Sequence, residues 1–93
     1  MKKMILAFAM ILSTNTFAMT YAQYLKCEKS DDVITHLSYI ATEVHLSPRA
    51  KALGIDSNGE LINVLDKSPT CQEANQAVIN LSQSLTERMR SGL

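Results

Sequence analysis

Two cysteines, Cys27 and Cys71, in a chain of only 93 residues constrain what this sequence can fold into more than any other feature. What such a pair becomes depends on the redox state of its compartment, and the first residues of the chain address that. Lys2 and Lys3 give a positive start, residues 4–12 (MILAFAMIL) are an uncharged apolar run, and Ser13, Thr14, Asn15 and Thr16 lead to Phe17 and Ala18. A basic start, a short apolar middle and small residues at the end make the layout of a secretory signal. Thr16 and Ala18 are small enough for cleavage after Ala18, which makes Met19 the first mature residue; Ala22 with Thr20 is a second choice, farther from the apolar run. A helix needs roughly 20 residues to cross the hydrocarbon core, so the short run predicts cleavage rather than anchoring. Lys26 in front of Cys27 does not suit lipoprotein processing. The expectation is a signal peptide over residues 1–18 and a soluble periplasmic or secreted domain over residues 19–93.

In an oxidising compartment a pair of cysteines in a small domain forms a disulfide. Cys27 and Cys71 are 44 residues apart, a loop whose closure stabilises the fold by about 4 kcal/mol in the chain-entropy model. That is comparable with the whole net stability of a domain this small. Without the signal the chain is too short for two domains and marginal for one apolar core without a staple. The competing readings have less support: there is no CxxC pair, and neither His36 nor His45 stands at metal-ligand spacing from a cysteine. No metal and no cofactor are expected.

Capping and periodicity divide the rest into helices. Tyr21, Tyr24 and Leu25 lie three and four apart and suggest a first turn or two within residues 20–27. Ser30 before Asp31 and Asp32 is a helix start, with a hydroxyl for orphan amides and carboxylates at the positive end of the dipole. Val33, Ile34, Leu37, Ile40, Ala41 and Val44 then form one stripe at helical period, predicting an amphipathic helix over residues 31–45. Ser47 and Pro48 open a short helix that Gly54 stops, with Ile55 folding back on it. Ser57 and Glu60 fit a capping box for a helix that ends before Pro69. Thr70 and Glu73 fit another, and Ala74, Val78, Leu81, Leu85 and Met89 carry a long helix over residues 71–90, stopped by Gly92. No stretch alternates with period two, so no sheet is expected. The fold class is all-α, a small bundle of short helices with a long C-terminal helix, closed by one Cys27–Cys71 disulfide. Cys71 shares a helix face with Val78 and Leu85, which predicts that its sulfur points into the core.

The chemistry on offer is sparse. Setting Lys2 and Lys3 aside leaves seven basic against nine acidic residues, a formal charge of −2. Nothing there favours nucleic acid or an anionic membrane. Asp56, Ser57, Asn58, Gly59 and Glu60 look like part of a calcium loop, but the first and last ligand positions would fall on Gly54 and Leu65, neither of which offers a side-chain oxygen. The Asn–Gly pair reads better as a turn into the capped helix. His36, Ser38 and Glu43 can be nominated as a nucleophile, base and acid set, but such a choice has no specificity. His36 reads as a boundary residue and His45 as a C-terminal cap. A domain this small has little room for both a core and a substrate cleft, and an enzyme is not expected. The remaining feature is a protein-binding surface, for which Tyr21, Tyr24 and Tyr39 are the mature chain's only aromatics. Tyr39 lies off the main stripe and is the best exposed candidate. The alternative is that all three cover edges of the core.

Cys27–Glu28 near the mature start, and Cys71 followed by its long helix, resemble the frame of the HdeA/HdeB acid-stress chaperones of the bacterial periplasm. Lys29, Ser30 and Asp31 stand here where those proteins carry an aromatic and proline pattern. Similar layouts occur among periplasmic immunity proteins and among small phage or plasmid proteins that inhibit lysis or superinfection. The leading expectation is a non-enzymatic exported protein that binds another protein as inhibitor, immunity factor or secretion or transfer accessory. The resemblance implies the alternative, an acid-activated chaperone loosened by protonation of carboxylates such as Asp31, Asp32, Glu43 and Asp66.

Overall fold

The computed structural model describes residues 19–92; the expected signal segment over residues 1–18 and its cleavage site lie outside them. Among the described residues five α-helices and one π-helical segment form the fold, with no strand.

Helix α1 (Tyr21–Tyr24) is a single turn held by a capping box whose signature, Thr20 and Gln23 three apart, stands in the sequence beside the tyrosine spacing. The Thr20 hydroxyl accepts the Gln23 N–H at 3.1 Å and the Gln23 side chain accepts the Thr20 N–H at 2.9 Å. Two orphan amides are satisfied reciprocally, which lets so short a helix persist. Helix α2 (Asp31–Ser38) begins as expected on Ser30, whose Oγ accepts the Val33 N–H, with Asp31 and Asp32 in the first turn. It then widens into a π-helical segment, Tyr39–Val44, capped by His45. Val33, Ile40 and Val44 are buried and Leu37 partly so, but Ile34 is exposed. The apolar face is narrower than the periodicity implied: Ile34 stands about 100° round the regular helix from Val33, at the edge of the stripe.

Helix α3 (Pro48–Ala52) has the Ser47 hydroxyl on the Ala50 N–H and Pro48 at its first position. Gly54 adopts φ +75°, a conformation in which a Cβ is strained. Its N–H reaches Lys51 O and the Ile55 N–H reaches Ala50 O at 2.9 Å, closing the helix as a Schellman turn. Helix α4 (Ser57–Asp66) corrects the predicted cap: the capping carboxylate is Asp56, which accepts the Gly59 N–H at 3.1 Å, and Ser57 is already inside the helix. Glu60 is turned to another task, described below. Helix α5 (Cys71–Ser91) is the longest. Thr70 accepts the Glu73 N–H at 3.0 Å, so only the hydroxyl half of the second predicted box forms. Arg88 and Arg90 lie in its last turn and Gly92, with φ +70°, ends it. The Arg49 guanidinium, on α3, donates to Met89 O at 2.9 Å and covers one of the carbonyls left open there.

Helix α5 is the axis of the bundle. One face of it, Ala74, Val78, Leu81 and Leu85, is buried against α2, the π-helical segment and α4. Leu61 and Leu65 come in from α4, Ile40 and Val44 from the π-helical segment, and Tyr24 from α1. Each large side chain so buried contributes about 1.5–3 kcal/mol.

The disulfide joins Cys27 to Cys71 with Cα atoms 5.7 Å apart. Its place corrects the expectation that its sulfur points into the core: Cys71 is exposed and Cys27 only half-buried. Cys71 is the first residue of α5 and projects past the end of the packed face, which begins one turn later at Ala74. The bridge is a clasp at the end of the bundle rather than part of its centre.

Candidate functional site

The groove with the best claim to a function lies where α1, the π-helical segment and α4 meet. It encloses about 220 Å³ and is lined by Tyr21, Ala41, Asn58, Leu61 and Ile62. Sequence position explains each wall. Tyr21 is the first residue of the capped α1 turn, Ala41 sits in the π-helical segment, and Asn58, Leu61 and Ile62 lie within one turn and a half of α4. Ile62 remains 56% exposed and Tyr21 37% exposed, and Leu25, one helical turn after Tyr21, is exposed as well. The groove is mostly apolar, with Tyr21 and Asn58 the lining residues that carry polar side-chain atoms and none that is charged. Such a lining suits a large apolar side chain accompanied by one hydrogen bond.

The three tyrosines separate. Tyr21 lines the groove. Tyr39 is half-buried against the core, so it is not the most exposed candidate. Tyr24 is wholly buried and cannot belong to a binding surface. Its hydroxyl donates to Asn75 Oδ1 at 2.7 Å, and the Asn75 amide donates in turn to Glu28 O at 3.1 Å. The Lys29 ammonium stands 4.5 Å over the Tyr24 ring and donates to Tyr24 O and Cys27 O at 2.8 and 2.9 Å. Burial, helped by the nearby Tyr21 phenol, pushes the Tyr24 hydroxyl up to about 12, and burial lowers the Lys29 ammonium from its ordinary value. These contacts tie the α1 region to the first turns of α5, beside the disulfide.

His36 is the one histidine with a built environment. Its Nδ1 shares a 2.7 Å hydrogen bond with Ser82 Oγ on α5, and its Nε2 lies 3.7 Å from Asp32 Oδ1. Carboxylate, imidazole and hydroxyl thus stand in a row, though with neither Ser38 nor Glu43, the partners the sequence suggested. Ser82 is 3% exposed in the middle of α5, however, and the groove does not reach it. A nucleophile that no substrate can meet does not perform acyl transfer. The arrangement instead satisfies a buried hydroxyl and fastens α2 to α5.

Glu60 and Arg88 make the second cross-link. Arg88 Nη2 and Nη1 donate to Glu60 Oε1 and Oε2 at 2.6 and 3.1 Å, a bidentate pair between α4 and α5. The hydrogen bond to Glu60 raises the Arg88 guanidinium further above its usual range, against the cost of burial. Sequence reasoning missed this pair because Glu60 also fits the third position of a capping box; the arginine that claims it is 28 residues away.

Among the described residues no group of three or more His, Cys, Asp or Glu side chains converges as a metal site, and no helix is long and apolar enough to cross a membrane. No family model, curated protein or solved structure matches the chain.

Proposed function

We propose that the chain is an exported, non-enzymatic domain that binds another protein through the groove of Tyr21, Ala41, Asn58, Leu61 and Ile62, acting as an inhibitor, immunity factor or secretion or transfer accessory. The observation that carries this is Ile62, a large apolar side chain more than half exposed at the rim of an uncharged groove. Apolar side chains left open beside a concavity favour association, because a partner side chain filling it removes both surfaces from water. Export rests on the layout of residues 1–18, and the disulfide suits an oxidising compartment. The test is to recover the protein from periplasm with its bound partner, side by side with Ile62→Glu. A stoichiometric partner held by the native chain and lost by a variant of unchanged helicity supports the reading; loss of nothing removes it.

A second reading, the acid-activated chaperone, draws on the Glu60–Arg88 pair. Of the carboxylates, Glu60 is the one in a bidentate link between helices. Asp31, Asp32, Glu43 and Asp66 are all exposed and make no such link. Loosening of that link would part α4 from α5 and free apolar surface of both. Suppression of client aggregation in acid but not at neutral pH supports this reading, and an unchanged native state in acid ends it.

A further inference from the structure

The Cys27–Cys71 bridge staples the end of the bundle, yet its two ends are unlike. Cys71 is exposed and stands at the first position of α5, a helix of 21 residues. Cys27 is half-buried, with the Met19 sulfur 3.9 Å from its Sγ. The junction is also held without the sulfurs, by Tyr24 on Asn75, Asn75 on Glu28 O, and Lys29 across the Tyr24 ring. We propose that this bridge is a thiol–disulfide exchange site that opens from the folded state, with Cys71 the sulfur attacked.

Access selects that sulfur. Charge does not, since the Lys29 ammonium sits on Cys27 O while Glu73 stands in the first turn of α5. Cys71 is the exposed partner, whereas Met19 covers Cys27 on one side. A dithiol of the CxxC kind supplies the electrons. Its thiolate bonds to Cys71 Sγ as the Cys27–Cys71 bond breaks, and Cys27 leaves as a thiolate that takes a proton from water. The second thiol, deprotonated, then attacks its neighbour in the mixed disulfide and releases Cys71 as a thiolate. The dithiol ends as a disulfide, and the bridge, having gained two electrons, ends as two thiols. The last leaving group is the Cys71 thiolate, which the helix N-terminus stabilises. Tyr24 and Asn75 keep the two cysteines neighbours, so oxidation closes the bridge again.

This does not depend on the groove. The native protein is exposed briefly to glutathione and quenched with acid and an alkylating agent, which caps the freed thiol before it recloses the bridge or a second glutathione resolves the mixed disulfide; trypsin then places the two cysteines on separate peptides. The expected early adduct is mainly on Cys71, with a rate unchanged by urea below the unfolding transition. Adduct shared equally or mainly on Cys27 overturns the assignment. A rate that climbs with urea from the first additions, in step with the unfolded fraction, overturns exchange from the folded state.

Discussion

The Tyr24 hydroxyl donates to Asn75 Oδ1 at 2.7 Å, joining residues 51 apart and fixing α1 to the second turn of α5. The ring is wholly buried, so the bond is also the phenol's release from desolvation. Tyr24→Phe keeps the ring and loses the bond, and is expected to lower the unfolding free energy by about 1 kcal/mol. The pH dependence separates this residue from the rest. Its phenol ionises at 10.0 in the unfolded chain but is pushed up to about 12 in the folded one. The folded state therefore holds the proton more tightly, and stability that is intact below the first value falls as pH rises through the second. Urea denaturation across that alkaline range should give a shallower decline for Tyr24→Phe than for the native protein. Equal slopes would show that the buried phenol does not contribute.

The Glu60–Arg88 pair is expected to be worth about 1 kcal/mol, less than a fully buried bidentate pair, because both side chains are still partly solvated. Glu60→Gln, which keeps the shape and one acceptor but loses the charge, should lose about that much. A double-mutant cycle with Arg88→Met isolates the interaction. A coupling energy indistinguishable from zero would assign the α4–α5 contact to Leu61, Leu65 and Leu85 instead.

Ser82 meets His36 across the α2–α5 interface. Ser82→Ala removes the partner of Nδ1, and because His36 is half-buried, water can replace the hydroxyl only in part. A loss of about 0.5–1.5 kcal/mol in thermal or urea unfolding is expected. The contrast is with Ser38→Ala, whose side chain is exposed and should change stability very little. The sequence nominated Ser38 and the structure uses Ser82; if Ser38→Ala were the more damaging, the contact would have been misassigned.

Local signals were the legible part of this chain. The Ser30, Ser47 and Thr70 caps, the left-handed Gly54 and the α5 face of Ala74, Val78 and Leu85 all depend on neighbours within one or two turns, and each stands where the spacing put it. What escaped depends on distant residues or on the ends of elements. Ile34 falls on the predicted stripe but faces water, because it stands about 100° round the helix from Val33, at the edge of the stripe. Cys71 shares the phase of Val78 and Leu85 yet is exposed, because phase says nothing about where a packed face stops. Tyr24 and Tyr39 could not be told apart from Tyr21 by residue type: Asn75 makes the core a favourable place for one hydroxyl, and no local spacing reveals that. The groove has the same character, with walls from three separate elements.

The start of α4 turns that lesson into a measurement with opposite signs. Ser57 and Glu60 have the spacing of a capping box, in which Ser57→Ala would cost about 1 kcal/mol. In the structure Asp56 holds the Gly59 N–H, and Ser57 Oγ is buried, 1% exposed as a residue, with no hydrogen-bond partner. An unpaired buried hydroxyl is a cost, and alanine in the first turn removes it while improving helix propensity. Ser57→Ala is therefore expected to stabilise the protein by about 1 kcal/mol, and Asp56→Ala to destabilise it by a similar amount. Gly59→Ala tests the same cap from the other side. A Cβ at Gly59 falls on the Asp56 carboxylate, which must swing away. The gain of about 1 kcal/mol that alanine brings inside a helix is then offset by the broken cap, leaving stability nearly unchanged. In the Asp56→Ala background that clash is gone, and Gly59→Ala should recover its full gain. A cost for Ser57→Ala would restore Ser57 as the cap and displace Asp56 from that role.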